Sequence, residues 1–281
     1  MSVLDFLLNC AALLLWLNWW SRGLSSPRAK GIALVRTLRR AEPARHDRWT
    51  SPVVLLAILL VRSLAYFQIG SATHWTPRLP LVAITVPFRS DSLGRMLLFS
   101  FLSFIVFGGA FYFCALLVSA LNHKLPATDS WQAFFRVLLG PVDKLPRWFK
   151  FLMPFLIGAT FWIIFGPMLS AAGVQVPVQS FAHRLQEAML IGASSWLAWK
   201  YAIAFVLVLH IVTSYVYFGA SPFWKFISTT ARHMLAPTQR FPLRIGRVDL
   251  WPIIVLTVVF AAIQTLEHFQ VLQGLYSRLP L

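Results

Sequence analysis

Charged side chains are scarce inside the apolar runs of this 281-residue chain, and those few limit the chemistry it could do. Arg62 lies ten residues past Pro52, where one such run begins, which is about 15 Å along a helix rising ~1.5 Å per residue. A charge at that depth costs several kcal/mol unless it snorkels or is paired, so it marks either a functional site or a structural partnership. Asp5 enters the preceding run from the opposite end and is the expected partner. A structural Arg62–Asp5 pair is the first reading and a substrate or ion site the second. Lys200 and Glu267 make a similar case, each about one turn inside the same boundary of consecutive runs. His210 is deeper and alone, expected to hydrogen-bond within a bundle rather than to ligate. No His, Cys, Asp or Glu spacing fits a metal site. No glycine-rich phosphate loop follows a strand, and no Ser or Cys has a histidine and an acid near it in sequence. Catalytic, cofactor-binding and metal-ligating residues are therefore not expected, and an enzyme is disfavoured.

The elements that must hold these residues are membrane spans. Hydrophobic residues make up 58% of the chain and charged ones 12%, against roughly 25% charged in soluble domains. Six runs approach or exceed the ~18 to 20 apolar residues that cross a bilayer as a helix, at about 3–20, 52–69, 94–120, 151–172, 195–218 and 252–270. The expected fold is all-α and polytopic, with about six transmembrane helices and short amphipathic helices at one surface. The first run lacks a basic segment before it and reads as an uncleaved anchor. Both cysteines, Cys10 and Cys114, fall inside runs, which disfavours a disulfide framework.

The formal charge of +16 has a membrane explanation. Eighteen of the 25 Lys and Arg residues lie in alternate connections, between spans one and two, three and four, and five and six. That parity predicts basic loops in the cytoplasm and both termini in the periplasm of a bacterial inner membrane. Trp16, Trp19, Trp20, Trp49, Trp148, Trp224 and Trp251 gather at the same boundary, as in an interfacial aromatic belt, and nucleic acid is disfavoured as a partner.

Those three connections share one frame: a span, an amphipathic segment, a proline-bounded basic loop and a second span starting at proline. The bounding prolines are Pro43 and Pro52, Pro141 and Pro154, and Pro237 and Pro252. The expected organisation is three units at 1–70, 94–172 and 195–270, external linkers at 71–93 and 173–194, and a tail at 271–281. Each amphipathic segment has an apolar face: Ile32, Val35 and Leu38; Trp131, Phe134, Phe135 and Leu138; Phe226, Ile227, Thr230 and Met234. Opposite lie Arg36, Arg39 and Arg40, then Gln132 and Arg136, then Lys225, Ser228, Thr229 and Arg232. Ser26-Pro27 and Ser221-Pro222 offer a hydroxyl N-cap followed by proline at the first helical position. Basic helices this short lie in the headgroup plane rather than spanning it. The linker stretches LPLVAITVPF and VQVPVQSF are β-prone. Gly108-Gly109 and Ser103, with Gly158 and Gly166-Pro167, offer small surfaces for close helix contact.

The third loop, with Pro237, Arg240, Pro242, Gly246, Asp249 and Pro252 in that order, resembles the YggT family of small bacterial membrane proteins, also called YlmG in chloroplasts and cyanobacteria. That family is marked by a Pro-rich, Arg-containing loop with a Gly and an Asp-x-Ser-Pro ending between two spans. Here Thr238 and Gln239 replace an apolar pair, and Trp251 stands where the family has Ser. Asp143 is the only acid of the middle loop, which lacks the Gly-x-x-Asp pairing, as does the first. The resemblance is specific over about 221–270 and implies no chemistry, since the family is linked to organising membrane complexes, to division and nucleoid behaviour, and to ion or osmotic tolerance. The reading is a non-enzymatic scaffold or assembly factor without a cofactor, presenting basic loops to anionic headgroups and another membrane or membrane-associated protein. The alternative is an ion channel or transporter, with Arg62, Lys200 or His210 along its path; nucleoid tethering through Arg28 to Arg48 is a weaker third.

Overall fold

A computed structural model describes residues 3–24, 49–73, 75–81, 84–123, 130–175, 180–216, 219, 221–236, 244–245 and 248–268, with 22–24, 84, 244–245, 248–249 and 266–268 described by backbone alone. The Leu-, Ile- and Phe-rich runs form long helices, because in hydrocarbon each backbone N–H and C=O must find its partner within the helix. In chain order these are α1 (Val3–Leu24), α2 (Thr50–Thr73), α3 (Leu93–Leu121), the shorter α4 (Ser130–Leu139), α5 (Arg147–Ala171), α6 (Phe181–Ser194), α7 (Trp199–Tyr215), the shorter α8 (Pro222–Leu235) and α9 (Trp251–His268). Among the described residues, five stretches are long and apolar enough to cross a membrane: Val3–Ser21, Thr50–Thr73, Leu93–Leu121, Arg147–Ala171 and Phe181–Tyr215. The sixth expected span forms α9, 18 residues long. The chain is a mostly helical, membrane-embedded protein.

The connections differ from the expected linkers. Residues 78–87 form an antiparallel hairpin, β1 (Arg78–Leu81) with β2 (Ile84–Pro87), in which Leu79 faces Val86. Its buried Leu79, Leu81 and Val86, with Phe88, join a core with Met96, Phe99, Trp162, Leu169 and Ile191. The expected linker 173–194 contains α6, which a short 3-10 turn joins to α7. Its polar His183, Arg184, Gln186 and Glu187 hide the apolar pattern in the sequence, yet Glu187, Ala188, Ile191, Gly192 and Ser194 form one buried face. Span four starts at Arg147, not near Pro154. Pro146 takes the capping position, where its carbonyl accepts the Phe149 and Lys150 N–H groups at 3.0 and 3.3 Å, and Pro154 lies buried inside the helix.

By contacts the chain divides into two compact units, 1–111 with 155–195 and 276–281, and 112–154 with 196–275. These boundaries do not follow the three sequence units. The second expected unit contains α3, the shorter α4 and α5, and the third contains α7, the shorter α8 and α9. The surface segment of copy one, with Arg36, Arg39, Arg40 and Pro43, lies outside the described residues.

Candidate functional site

In the first unit, α1, α2 and α3 each turn a polar stripe inward. On α1, Asp5, Asn9, Ala12 and Leu13 are buried at helical spacing, while Leu4, Leu7 and Leu14 point outward. On α2 the buried face is Leu59, Arg62, Ser63, Tyr66 and Gly70, repeating every three or four residues. Asp5 meets Arg62 and Tyr66 while Asn18 donates to Ser51 at 3.1 Å, so α1 and α2 run antiparallel. The outward-apolar, inward-polar arrangement is what a hydrocarbon solvent selects.

Arg62 is the hub, and only 3% of it is exposed. Its Nη2 donates to Asp5 Oδ1 at 2.8 Å and to Ser103 Oγ at 3.1 Å, and its Nη1 donates to Asn9 Oδ1 at 2.8 Å. Asn9 Nδ2 donates to Ser103 Oγ at 3.1 Å, and the Tyr66 hydroxyl donates to Asp5 Oδ1 at 2.5 Å. The guanidinium also lies 5.4 Å from the Tyr66 ring centre and 5.3 Å from that of Phe99, within cation–π range. Arg62 Nε has no hydrogen-bond partner among the described residues. Charge is thus neutralised once and three of the five guanidinium hydrogens meet acceptors on α1 and α3, an arrangement suited to joining helices. An open recess of about 460 Å³, lined by Leu4, Tyr66, Ile69, Thr73 and Trp75, touches this network through Tyr66 alone.

Two further polar clusters were not legible in the sequence. In the first unit Trp162 Nε1 donates to Glu187 Oε2 at 3.0 Å, and His183 Nε2 stands 3.4 Å from Glu187 Oε1. There α5 and α6 touch so closely that a Cβ on Gly192 would sit 2.8 Å from the Phe155 carbonyl, and one on Gly158 3.2 Å from the Gly192 Cα. Gly108 and Gly109 were expected to make such contacts, but a Cβ added to either would meet nothing within 4 Å, so they mediate none among the described residues.

In the second unit the end of α3 ties the shorter helices α4 and α8 together. Asn122 Nδ2 donates to Thr230 Oγ1 at 2.7 Å, Gln132 Nε2 donates to the Asn122 carbonyl at 3.2 Å, and His233 Nδ1 lies 2.9 Å from Asn122 Oδ1. Gln132, expected on the polar face of α4, is therefore buried; the carbonyl at the end of α3 draws it in. Around these bonds the aromatic faces of α4 and α8 meet, Trp131 against Phe223 at 5.1 Å and Phe135 stacked on Phe226 at 5.7 Å. The expected apolar faces thus cover one another in part. Ser221 holds the N-cap position of α8 with Pro222 following, but its hydroxyl makes no capping bond. Arg232 and Lys225 are exposed.

The turn from α4 to α5 is pinned by Asp143. Its Oδ1 accepts Lys150 Nζ at 3.0 Å and the Ser119 hydroxyl, Lys150 Nζ also reaches Ser119 Oγ at 2.9 Å, and Arg136 Nε lies 3.5 Å from Oδ2. Burial pushes the Asp143 carboxyl up, but the Ser119 hydroxyl, the Lys150 ammonium and the Arg136 guanidinium outweigh it and hold the carboxyl below its usual range. Pro141 sits in this turn, after Gly140 at φ +56°.

Of the remaining expected residues, Lys200 Nζ stands 5.3 Å over the Tyr201 ring, and the Glu267 side chain lies outside the described residues, as does a Lys200–Glu267 pair. His210 is half-buried on α7, where its carbonyl accepts the Thr213 and Ser214 hydroxyls at 2.8 and 2.9 Å. Pro52 lies in the first turn of α2 and Pro252 in the first turn of α9. Pro237, Arg240, Pro242 and Gly246 lie outside the described residues; Asp249 is described by backbone only, in a two-residue strand pair, β3 (Arg244–Ile245) with β4 (Val248–Asp249). Among the described residues no three His, Cys, Asp or Glu side chains group as metal ligands. These features define a membrane-embedded helical protein whose polar side chains bind its own helices together. No protein-family model, curated protein or solved structure matches the chain.

Proposed function

We propose that this protein is a non-enzymatic scaffold or assembly factor of the bacterial inner membrane, crossing it six times with both termini in the periplasm. Its cytoplasmic face presents basic loops and surface helices to anionic headgroups and to another membrane or membrane-associated protein. The observation that carries this reading is the pairing of α4 and α8 through Trp131, Phe135, Phe223 and Phe226, which joins two surface helices into one platform with Lys225 and Arg232 exposed. The Arg62 network, with both terminal nitrogens bonded to α1 and α3, adds support, because a group that passes an ion or substrate must be free to exchange partners. The likeness of the 237–252 loop to the YggT family, linked to organising membrane complexes, points the same way. The test is chemical cross-linking in intact membranes followed by purification of wild type and an Arg39→Glu, Arg40→Glu, Lys225→Glu, Arg232→Glu variant. A discrete cross-linked partner lost in the variant is expected; the same adducts in both proteins count against the platform.

A transport role is the second reading, favoured by the recess that reaches Tyr66 beside Asp5 and Arg62. Ion flux into liposomes decides it. Flux by the wild type that vanishes in Arg62→Ala at equal protein level would place Arg62 on a path and displace the scaffold reading.

A further inference from the structure

The corner between α4 and α5 concentrates charge where a span begins. Residues 130–150 hold four cations, Arg136, Lys144, Arg147 and Lys150, against the single acid Asp143, a net charge of +3. The acid is turned inward. Lys150 is 1% exposed, and its ammonium holds Asp143 Oδ1 at 3.0 Å with Ser119 beside it. Arg136 reaches the other carboxylate oxygen at 3.5 Å while about a third of its side chain, 35%, stays exposed. Lys144 and Arg147 are exposed, so the positive charge that Asp143 does not neutralise lies on the outer face of the turn.

The turn is also stiff. Gly140 ends α4 at φ +56°, the Val142 carbonyl accepts the Leu145 N–H at 3.2 Å, and Pro146 fixes the start of α5. Cations held on such a frame lose little freedom when they bind an anion. Trp148, next to Arg147, is 67% exposed at the first turn of a span. An exposed indole there marks the headgroup level, with the apolar flank of α5 continuing into hydrocarbon.

We propose that this corner is a binding site for the headgroup of an anionic phospholipid. Lys144 and Arg147 receive the phosphate, Arg136 faces it from α4, and one acyl chain runs past Trp148 along α5. Asp143 acts as the internal counter-ion that keeps Lys150 buried and holds Arg136 at the edge of the site, while Lys144 and Arg147 stay exposed to the lipid. Free phosphate satisfies the same charges but makes no use of the indole or the apolar flank. The site rests on the reading of this face as the membrane surface that the scaffold presents.

The experiment is phosphatidylglycerol binding to the full chain, purified in nanodiscs of phosphatidylcholine and read by native mass spectrometry across a titration. Loss of both Lys144 and Arg147 as Gln is expected to weaken binding roughly 30-fold, about fivefold for each basic residue at an anionic leaflet. Trp148→Ala should weaken it too, Lys225→Gln with Arg232→Gln should change it less than threefold, and millimolar inorganic phosphate should not displace the lipid. Lys144→Arg with Arg147→Lys restores binding if the variant's loss is one of charge rather than folding. Equal affinity in the wild type and the Lys144, Arg147 variant overturns the site while leaving the scaffold reading, tested by cross-linking, intact. Displacement by inorganic phosphate overturns the lipid as ligand. No binding by the wild type overturns the site as well, and only a concurrent loss of the cross-linked partner would bring down both.

Discussion

Removing either member of the Arg62–Asp5 pair should destabilise the first unit far more than removing both. The Arg62 side chain is 1% exposed and the Asp5 side chain 8%, so neither charge can turn to water if its partner is lost. Breaking such a pair from one side costs about 3–5 kcal/mol, because a charge remains buried without compensation. Arg62→Leu also strips Asn9 Oδ1 and one bond to Ser103, while Asp5→Leu leaves the Tyr66 hydroxyl without its acceptor. With both positions changed to Leu no charge is left. Asn9 and Ser103 still bond each other at 3.1 Å, and the remaining penalty is that of one or two unpaired polar groups, about 2 kcal/mol. Each single variant is therefore expected to melt about 10 °C below the wild type in nanodiscs, followed by circular dichroism, and the double variant to recover more than half of that loss. Additive losses, or single variants that melt with the wild type, would refute a structural pair. A wild-type melt for Arg62→Leu combined with altered ion flux would move Arg62 to a transport path.

Low pH should loosen the corner that Asp143 pins. Its folded carboxyl titrates below the ordinary value near 3.8, so its contribution is complete at neutral pH and is lost as pH falls through the lowered folded value. Asp143→Asn should therefore melt below the wild type at pH 7, with the gap closing as pH drops below about 4; a gap constant to pH 2 would sink the assignment. Helix contact at Gly192 gives a contrast with Gly109. Gly192→Ala forces a carbon within 2.8 Å of a backbone carbonyl and is expected to cost ~1–3 kcal/mol in unfolding experiments, whereas Gly109→Ala meets nothing within 4 Å and should be neutral or slightly stabilising. Equal effects at the two positions would mean that the α5–α6 contact is not as drawn.

What the sequence disclosed follows from how rarely each residue type is tolerated in hydrocarbon. Arg62 and Asp5 are conspicuous because a charge in an apolar run has few places to go, and the two lie at matching depths on neighbouring runs. Asn9, Ser103 and Tyr66 complete the network but give no such signal, since hydroxyls and amides in spans commonly bond their own helix. Ser63 does so, donating to the Leu60 carbonyl at 2.7 Å. The faces of α4 and α8 were readable from their spacing, but their partner was not, for the aromatic rows that would lie on acyl chains serve equally well to hold each other. Gln132 misled for the same reason: its burial depends on the Asn122 carbonyl, ten residues away in sequence. Polar content concealed α6, where Glu187 is carried inward by Trp162 rather than excluded to a linker.

Three acids, Asp5 and Glu187 buried and Asp143 partly so, share one arrangement. Asp5 is met by Arg62 and Tyr66, Asp143 by Lys150, Ser119 and Arg136, and Glu187 by Trp162 and His183. Each carboxylate joins residues from two or more helices and faces donors supplied by the protein itself. A conduction path needs such groups to trade a protein donor for a passing ion at low cost, and at Asp5 that exchange would break a buried 2.8 Å pair with Arg62. A scaffold needs the reverse, helices that hold their spacing while basic groups at the surface remain free. Where acids bind the frame from inside, the exposed cations at Lys144, Arg147, Lys225 and Arg232 face outward from it.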